Sequence, residues 1–133
     1  MILFASRPNL APMDGEISTD DVSALLESEA DVRIVDIRDS MSFERGHIPD
    51  SENVPFNELP ARIEEFEDAD RVVTVCPHGK ASVQAARLIG SYEGAADATV
   101  ESMAGGLDEW AETYELASST ADEESAAGSD APF

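Results

Sequence analysis

Short, nearly continuous apolar runs alternate with amphipathic segments along this chain. The runs at residues 32–37 and 71–75 are rich in valine and isoleucine, which is typical of strands buried on both faces. Shorter strands are predicted at residues 53–54 and 99–100. Apolar residues at helical spacing predict helices over residues 18–28, 40–45, 57–65, 81–91 and 107–114. Strands that alternate with helices predict an α/β fold, a parallel central sheet flanked by helices on both faces.

The first helix has the clearest start signal. Ser18 can cap its N-terminus, and Asp21 stands three residues later, as in a capping box. Val22, Leu25 and Leu26 then supply the apolar stripe. The two glycines at residues 105–106 predict a turn before the last helix.

The domain organisation follows from the ends of the chain. Residues 1–12 show no periodicity and contain Pro8 and Pro12, so we expect a poorly ordered N-terminal extension. The folded domain is predicted over residues 13–116. Residues 117–133 consist largely of alanine, serine, glycine and acidic residues, which predicts a disordered tail.

The charge balance is extreme, with 29 acidic residues against 8 basic ones and a formal net charge of −21. Non-specific binding to nucleic acid or to anionic membranes needs positive potential, so neither is expected. A lysine-poor, acidic surface resembles that of proteins from salt-loving organisms. No apolar stretch approaches the roughly 18 residues of a membrane span. The single cysteine excludes an intrachain disulfide and fits a reducing compartment, so a cytoplasmic location is expected.

Candidate chemistry lies where the strand at 71–75 ends. Cys76 follows that strand, a short loop comes next, and a helix then begins. Ligands bind at the carboxyl ends of parallel strands, and the N–H groups and dipole of a helix N-terminus favour a thiolate. A cysteine so placed has a pKa below its free value of about 8.5. Gly79 allows close backbone approach, Lys80 adds a cation, and Ser82 can cap the helix or donate a hydrogen bond.

Each of these residues also has a plain structural interpretation. A lone cysteine after an apolar strand is most often a small buried hydrophobic residue. His78 is a base, an anion ligand or an ordinary loop histidine. Lys80 is the only lysine and lies four residues from the only cysteine, which favours a functional loop over coincidence.

Four segments, in order, resemble the motifs of single-domain rhodaneses, a family of sulfurtransferases. They are IVDIR at 34–38, with an Asp-x-Arg ending; FERGHIP at 43–49, followed by NVP at 53–55; CPHGKAS at 76–82, in the pattern Cys-x-x-Gly-x-x-Ser; and GGLDEW at 105–110, in the pattern Gly-Gly-x-x-x-Trp. The likeness runs from about residue 17 to residue 114. Each motif alone is weak, and four in order are strong.

The resemblance implies a mechanism and a set of roles. Cys76 would be the catalytic thiolate, taking a sulfane sulfur from thiosulfate or another persulfide and passing it to a thiol, cyanide or a sulfur-carrier protein. Substrate would be held by the remaining loop residues, Pro77, His78, Gly79, Lys80, Ala81 and Ser82. The structure around the loop would be supported by Asp36, Arg38 and His47, and Trp110 would belong to the core. No cofactor and no metal are implied.

The chain departs from the family pattern at two places. Many members have arginine where Ala81 stands, which weakens the case for thiosulfate as donor. Asp50-Ser51 replaces a small pair.

Three other functions compete with sulfur transfer. A cysteine phosphatase or arsenate reductase needs Cys-x5-Arg, but position 82 is serine. A non-catalytic binding module would have an unreactive Cys76. A redox sensor is disfavoured because the chain has no second cysteine to resolve an oxidised thiol.

Overall fold

A computed structural model describes residues 15–118, and it has the α/β architecture expected from the sequence. Five strands form one parallel sheet in the order β1-β5-β4-β2-β3. The strands are β1 Gly15–Ile17, β2 Arg33–Asp36, β3 Glu52–Asn53, β4 Arg71–Val75 and β5 Thr99–Met103. The α-helices are α1 Thr19–Glu27, α2 Ser40–Arg45, α3 Ala81–Gly90 and α4 Gly106–Thr113. Within residues 15–118, no helix is long and apolar enough to cross a bilayer.

Two apolar layers cover the two faces of this sheet. Successive residues of a strand point to opposite faces, so Val72 packs in one layer and Val73 in the other. The first layer is closed by α3, through Ala85, Ala86 and Ile89. The second layer is closed by α1 and α4, with residues that include Val22, Leu107 and Trp110. Trp110 is therefore a core residue, as expected from the sequence.

Helix α1 begins as its sequence predicts. Ser18 has extended backbone angles, and its side chain accepts a hydrogen bond from the backbone N–H of Asp21 at 3.0 Å. This bond satisfies one of the N–H groups that have no partner within the helix.

One predicted helix is absent. Residues 57–65 were expected to form a continuous α-helix, but this stretch contains two separate 3₁₀ turns, Phe56–Glu58 and Ile63–Phe66. Pro60 explains the interruption, because it has no N–H to donate and its ring clashes with a helical carbonyl. Leu59 and Phe66 are still fully buried, whereas Phe56 is exposed.

The sheet is larger than the sequence indicates. The edge strand β1 was not predicted, and β5 continues to Met103, beyond the expected 99–100. Strand β1 has only three residues, of which Ile17 alone is buried, and it exists through its pairing with β5. Such a strand has too few residues to show a periodic pattern.

The folded part also extends past the predicted boundary at residue 116. The backbone N–H of His47 donates to the carbonyl of Ala117 at 2.8 Å, and that of Ala117 donates back at 2.7 Å. Ser118 Oγ donates to the carbonyl of Glu44 at 3.2 Å. The first two residues of the predicted tail are therefore paired with the domain. The remainder of the tail and the predicted extension at 1–12 lie outside the described residues.

Candidate active site

The loop that follows β4, residues 76–80, lies at the carboxyl edge of the sheet. Strand β4 is paired on both sides, with β2 and with β5, so Cys76 emerges from the middle of the sheet. Helix α3 begins at Ala81, directly after the loop. The N–H of Ser82 in its first turn has no partner within the helix and is directed at Cys76. We call residues 76–80 the active-site loop.

Backbone N–H groups surround the sulfur of Cys76. The N–H of Gly79 donates to Sγ at 3.1 Å, and that of Ser82 donates at 3.2 Å. The thiol in turn donates to Ser82 Oγ at 3.3 Å. Cys76 is buried, with 2% of its surface exposed. When the thiol ionises, the Ser82 hydroxyl can reverse its bond and donate to the thiolate.

These contacts set the acidity of the thiol. Burial raises the pKa of Cys76, because it removes water from the thiolate. The Ser82 hydroxyl and the backbone N–H groups of Ser82, His78 and Gly79 act in the opposite direction. The hydrogen bonds outweigh burial, and the pKa of Cys76 lies below the ordinary value of a cysteine. The site therefore favours a thiolate, the form in which cysteine is a nucleophile.

A buried hydroxyl network holds Ser82 in place. Ser82 Oγ lies 2.7 Å from Ser102 Oγ on β5, and Thr74 Oγ1 on β4 donates to the carbonyl of Ser82 at 2.7 Å. All three side chains are completely buried. Thr74 and Ser102 were not identified from the sequence as part of the site. Their signal was available in principle, because a buried strand that carries a hydroxyl needs a hydrogen-bond partner for it.

Replacing Ser82 with alanine is expected to raise the pKa of Cys76, since the hydroxyl bond is lost while burial persists. Alkylation by iodoacetamide follows the thiolate, so the midpoint of its pH profile should move to higher pH. Ser91→Ala, an exposed serine at the other end of α3, is the matched control and should leave the midpoint unchanged. An unchanged midpoint in Ser82→Ala would exclude the hydroxyl as a source of thiolate stabilisation.

Two glycines place α4 against the active-site loop. Gly105 and Gly106 both have positive φ angles, of 78° and 67°. The N–H of Leu107 donates to the carbonyl of Cys76 at 2.9 Å, and that of Asp108 donates to the carbonyl of Pro77 at 3.0 Å. A Cβ on Gly106 would lie 2.5 Å from both of these carbonyl oxygens. The first turn of α4 thus packs directly against the backbone of the active-site loop. A side chain at residue 106 would push α4 and the loop apart.

Comparison with known proteins identifies the family. A model of the rhodanese-like domain matches residues 18–113, more than half of the chain. The chain belongs to the rhodanese-like domain family.

Two relatives of this rhodanese-like chain have names that refer to the transfer or carriage of sulfur. It is 39% identical over 82 residues to the thiosulfate sulfurtransferase GlpE of Pseudomonas syringae, a match that covers 61% of this chain and 74% of the relative. It is 31% identical over 74 residues to the putative sulfur carrier protein YrkF of Bacillus subtilis, covering 56% of this chain and 40% of that protein. A solved structure from Staphylococcus saprophyticus matches with a TM-score of 0.67 at 23% identity, over 77% of this chain and 98% of that one, which is a likeness of fold.

The residues predicted to hold substrate in this rhodanese-like domain divide into two groups. Gly79 and Ser82 contact the sulfur directly, and Gly79 has a φ of 81°, which explains the need for glycine. The others, Pro77, His78, Lys80 and Ala81, are exposed at the surface. Ser82 does not cap α3 with its side chain, because its hydroxyl is committed to Cys76 and Ser102.

The three predicted supporting residues make contacts away from the sulfur. Asp36 is completely buried and pairs with Arg38, whose Nη2 lies 2.8 Å from Asp36 Oδ2. The same Nη2 donates to the carbonyl of Gly46 at 2.6 Å, so this pair ties the end of β2 to the end of α2. His47 Nδ1 bonds the carbonyl of Phe43 at 2.6 Å. None of these contacts involves Cys76.

Proposed function

We propose that this protein is a sulfurtransferase that carries a sulfane sulfur as a persulfide on Cys76. The observation that carries the proposal is the set of hydrogen bonds at the Cys76 sulfur. Two backbone N–H groups donate to it at 3.1 and 3.2 Å, and the thiol donates to the Ser82 hydroxyl at 3.3 Å, a bond that the hydroxyl can reverse towards a thiolate. These bonds lower the pKa of the thiol, and the backbone N–H groups are already in place to hold negative charge at the sulfur. The names of the relatives suggest sulfur transfer as the class of reaction. The hydrogen bonds at Cys76 would stabilise the thiolate that this reaction needs.

In the first half of the reaction the Cys76 thiolate attacks the sulfane sulfur of a donor such as thiosulfate. A bond forms between Sγ and that sulfur, the S–S bond of the donor breaks, and sulfite leaves with the electron pair. The outer sulfur of the persulfide keeps the negative charge. We propose that the N–H groups at the start of α3 and in the loop stabilise this charge, in the manner of an oxyanion hole.

In the second half an acceptor attacks the outer sulfur. A bond forms between the acceptor and that sulfur, the S–S bond of the persulfide breaks, and Cys76 leaves as a thiolate. The donors that activate the thiolate for attack also make it a good leaving group, because they stabilise the same charge. A thiol, cyanide or a sulfur-carrier protein has the required nucleophile.

The site does not support phosphate ester hydrolysis. A cysteine phosphatase grips its oxyanion with an arginine side chain six residues after the cysteine. Here that position is Ser82, which is completely buried and bonded to Cys76 and Ser102. No arginine lies between residues 76 and 82.

Intact mass spectrometry after incubation with thiosulfate tests the proposal. We expect the protein to gain one sulfur atom, and to lose it when cyanide or a small thiol is added. The incubation should contain high salt, because salt screens the net charge of −21 that repels an anionic donor. If neither thiosulfate nor a protein persulfide donor adds sulfur, the proposed function is wrong.

Lys80 is proposed to draw anionic donors towards the loop. It is exposed beside Gly79 and gives the loop a positive charge in an otherwise acidic chain. Lys80→Ala should raise KM for thiosulfate about five-fold at low salt with little change in kcat, since one charge pair near 4 Å contributes about 1 kcal/mol in water. The effect should shrink in 1 M salt, where screening acts over about 3 Å.

The matched control for this variant is Arg87→Ala. Arg87 is an exposed cation on the last turn of α3, so it carries the same charge at the far end of the helix from the loop. Its loss should leave KM close to the wild-type value. Equal rises in KM for the two variants would show that only the net charge matters and that Lys80 has no local role.

A further inference from the structure

The histidine of the active-site loop is paired with an aspartate that no motif identifies. His78 Nδ1 lies 2.8 Å from Asp108 Oδ2, and both side chains are largely exposed, at 70% and 66%. Asp108 is itself held, because its backbone N–H donates to the carbonyl of Pro77 at 3.0 Å. The first turn of α4 therefore carries a carboxylate to a defined place beside the loop.

This contact determines how the imidazole ring can act. A carboxylate accepts the hydrogen of Nδ1, so the neutral ring carries its lone pair on Nε2. His78 follows Cys76 by two residues in the active-site loop, and its backbone N–H is among the groups that lower the pKa of the Cys76 thiol. Because the ring is exposed, an incoming molecule can reach Nε2 from solvent.

The net negative charge of the protein favours a thiol acceptor that arrives protonated, and such an acceptor needs a base at the site. A thiolate is the attacking form of a thiol acceptor, but a net charge of −21 repels an anion and lowers its concentration at the surface. A neutral thiol is not repelled in this way. An acceptor that arrives protonated must then lose its proton at the site. Asp108 on α4 contacts the ring of His78, and Lys80 follows His78 by two residues in the loop.

We propose that His78 is the general base that deprotonates the acceptor thiol, and that Asp108 positions its ring. His78 Nε2 takes the proton of the thiol, the resulting thiolate bonds to the outer sulfur of the Cys76 persulfide, and the S–S bond breaks. Cys76 leaves as a thiolate, held by its N–H donors, and the imidazolium later releases the proton to solvent. No oxidant or reductant is consumed. This inference rests on the proposed function and concerns its second half.

The test separates the two halves of the reaction. The protein is first loaded with sulfur by thiosulfate and the load is measured by intact mass. Transfer from the loaded protein is then followed with two acceptors, a small alkyl thiol and sulfite. The pH is chosen so that most of the thiol is protonated. Sulfite has no proton to remove at this pH and therefore needs no base. His78→Gln should slow transfer to the thiol by about 10²-fold, the lower end of what a positioned base contributes, and leave transfer to sulfite unchanged.

Two further variants isolate the role of Asp108. Asp108→Ala should slow transfer to the thiol by less than His78→Gln and should also spare sulfite, because the base remains but its ring is no longer held. Glu112→Gln removes a negative charge from an exposed position of the same helix without touching His78, so it should have no effect. In His78→Gln the loss should diminish as pH rises and the thiol ionises by itself.

Each failure has its own signature. Equal slowing with both acceptors in His78→Gln, or no slowing with the thiol, would overturn the role of His78 as a base while the loading step still supports the proposed function. Wild-type protein that gains no sulfur from any donor would overturn the proposed function, and this inference with it.

Discussion

Replacing Cys76 with serine is expected to abolish sulfur transfer, with kcat/KM falling at least about 10³-fold. A hydroxyl at this position cannot form a persulfide, and the hydrogen bonds of the loop do not make it a comparable nucleophile. Sulfur added from thiosulfate should disappear from the intact mass spectrum, and thiocyanate formation from cyanide should cease. A Cys76→Ser variant that still gained sulfur would show that the sulfur is bound elsewhere, and would contradict the proposed mechanism.

The same variant should fold almost normally. Serine is slightly smaller than cysteine, and its hydroxyl can accept the bonds that Gly79 and Ser82 donate to the sulfur. We expect the free energy of unfolding in urea to change by no more than about 1 kcal/mol. Ser82→Ala serves as a comparison, because it removes one donor from the site but keeps the nucleophile. It should retain measurable transfer, whereas Cys76→Ser should not.

Replacing Gly106 with alanine is expected to cost about 3–5 kcal/mol of stability, from backbone strain together with overpacking. Its φ of 67° is one that side chains rarely adopt. A Cβ would also lie 2.5 Å from the carbonyl oxygens of Cys76 and Pro77 and 2.6 Å from the nitrogen of Gly79. These atoms belong to the backbone of the active-site loop and cannot rotate away. Urea unfolding at fixed salt measures the loss, and sulfur transfer should fall with it because the loop must move.

Gly105 provides the matched control. Its φ of 78° is similar, but a Cβ there would meet the side chain of Glu109, whose carboxylate can rotate away while its Cβ, at 2.9 Å, must shift slightly. Gly105→Ala should therefore cost mainly the strain of the left-handed backbone, about 1–2 kcal/mol, and should retain the geometry of the loop. Similar losses in the two variants would mean that the contact between α4 and the loop contributes nothing beyond backbone strain.

Local sequence patterns predicted much of the fold. The β-branched runs that became β2 and β4 have polar or turn residues at their ends, and the helices around them have apolar residues on one face. These patterns report local conformation and the side that is buried, so they predict elements well. The helix expected over 57–65 was wrong because two 3₁₀ turns around Pro60 bury Leu59 and Phe66 without a continuous helix.

The sequence also located the nucleophile, since a cysteine after a buried strand and before a helix lies where parallel sheets bind ligands. It did not reveal the residues that complete the site. Ser102 meets Ser82 because β5 lies next to β4, with Thr74 opposite Ser102 in the register. Asp108 meets His78 because Gly106 allows α4 to approach the loop.

By itself, the sequence determined the alternation of strands and helices, the start of α1 at Ser18, and a thiol at the carboxyl end of a central strand. Strand order and register, the edge strand β1, and the contacts of Gly106, Ser102 and Asp108 were decided only in the tertiary structure. The physical reason is that backbone preference and amphipathic pattern are properties of neighbouring residues. A contact between distant segments depends on which surfaces pack together, and many pairings bury the same apolar residues equally well.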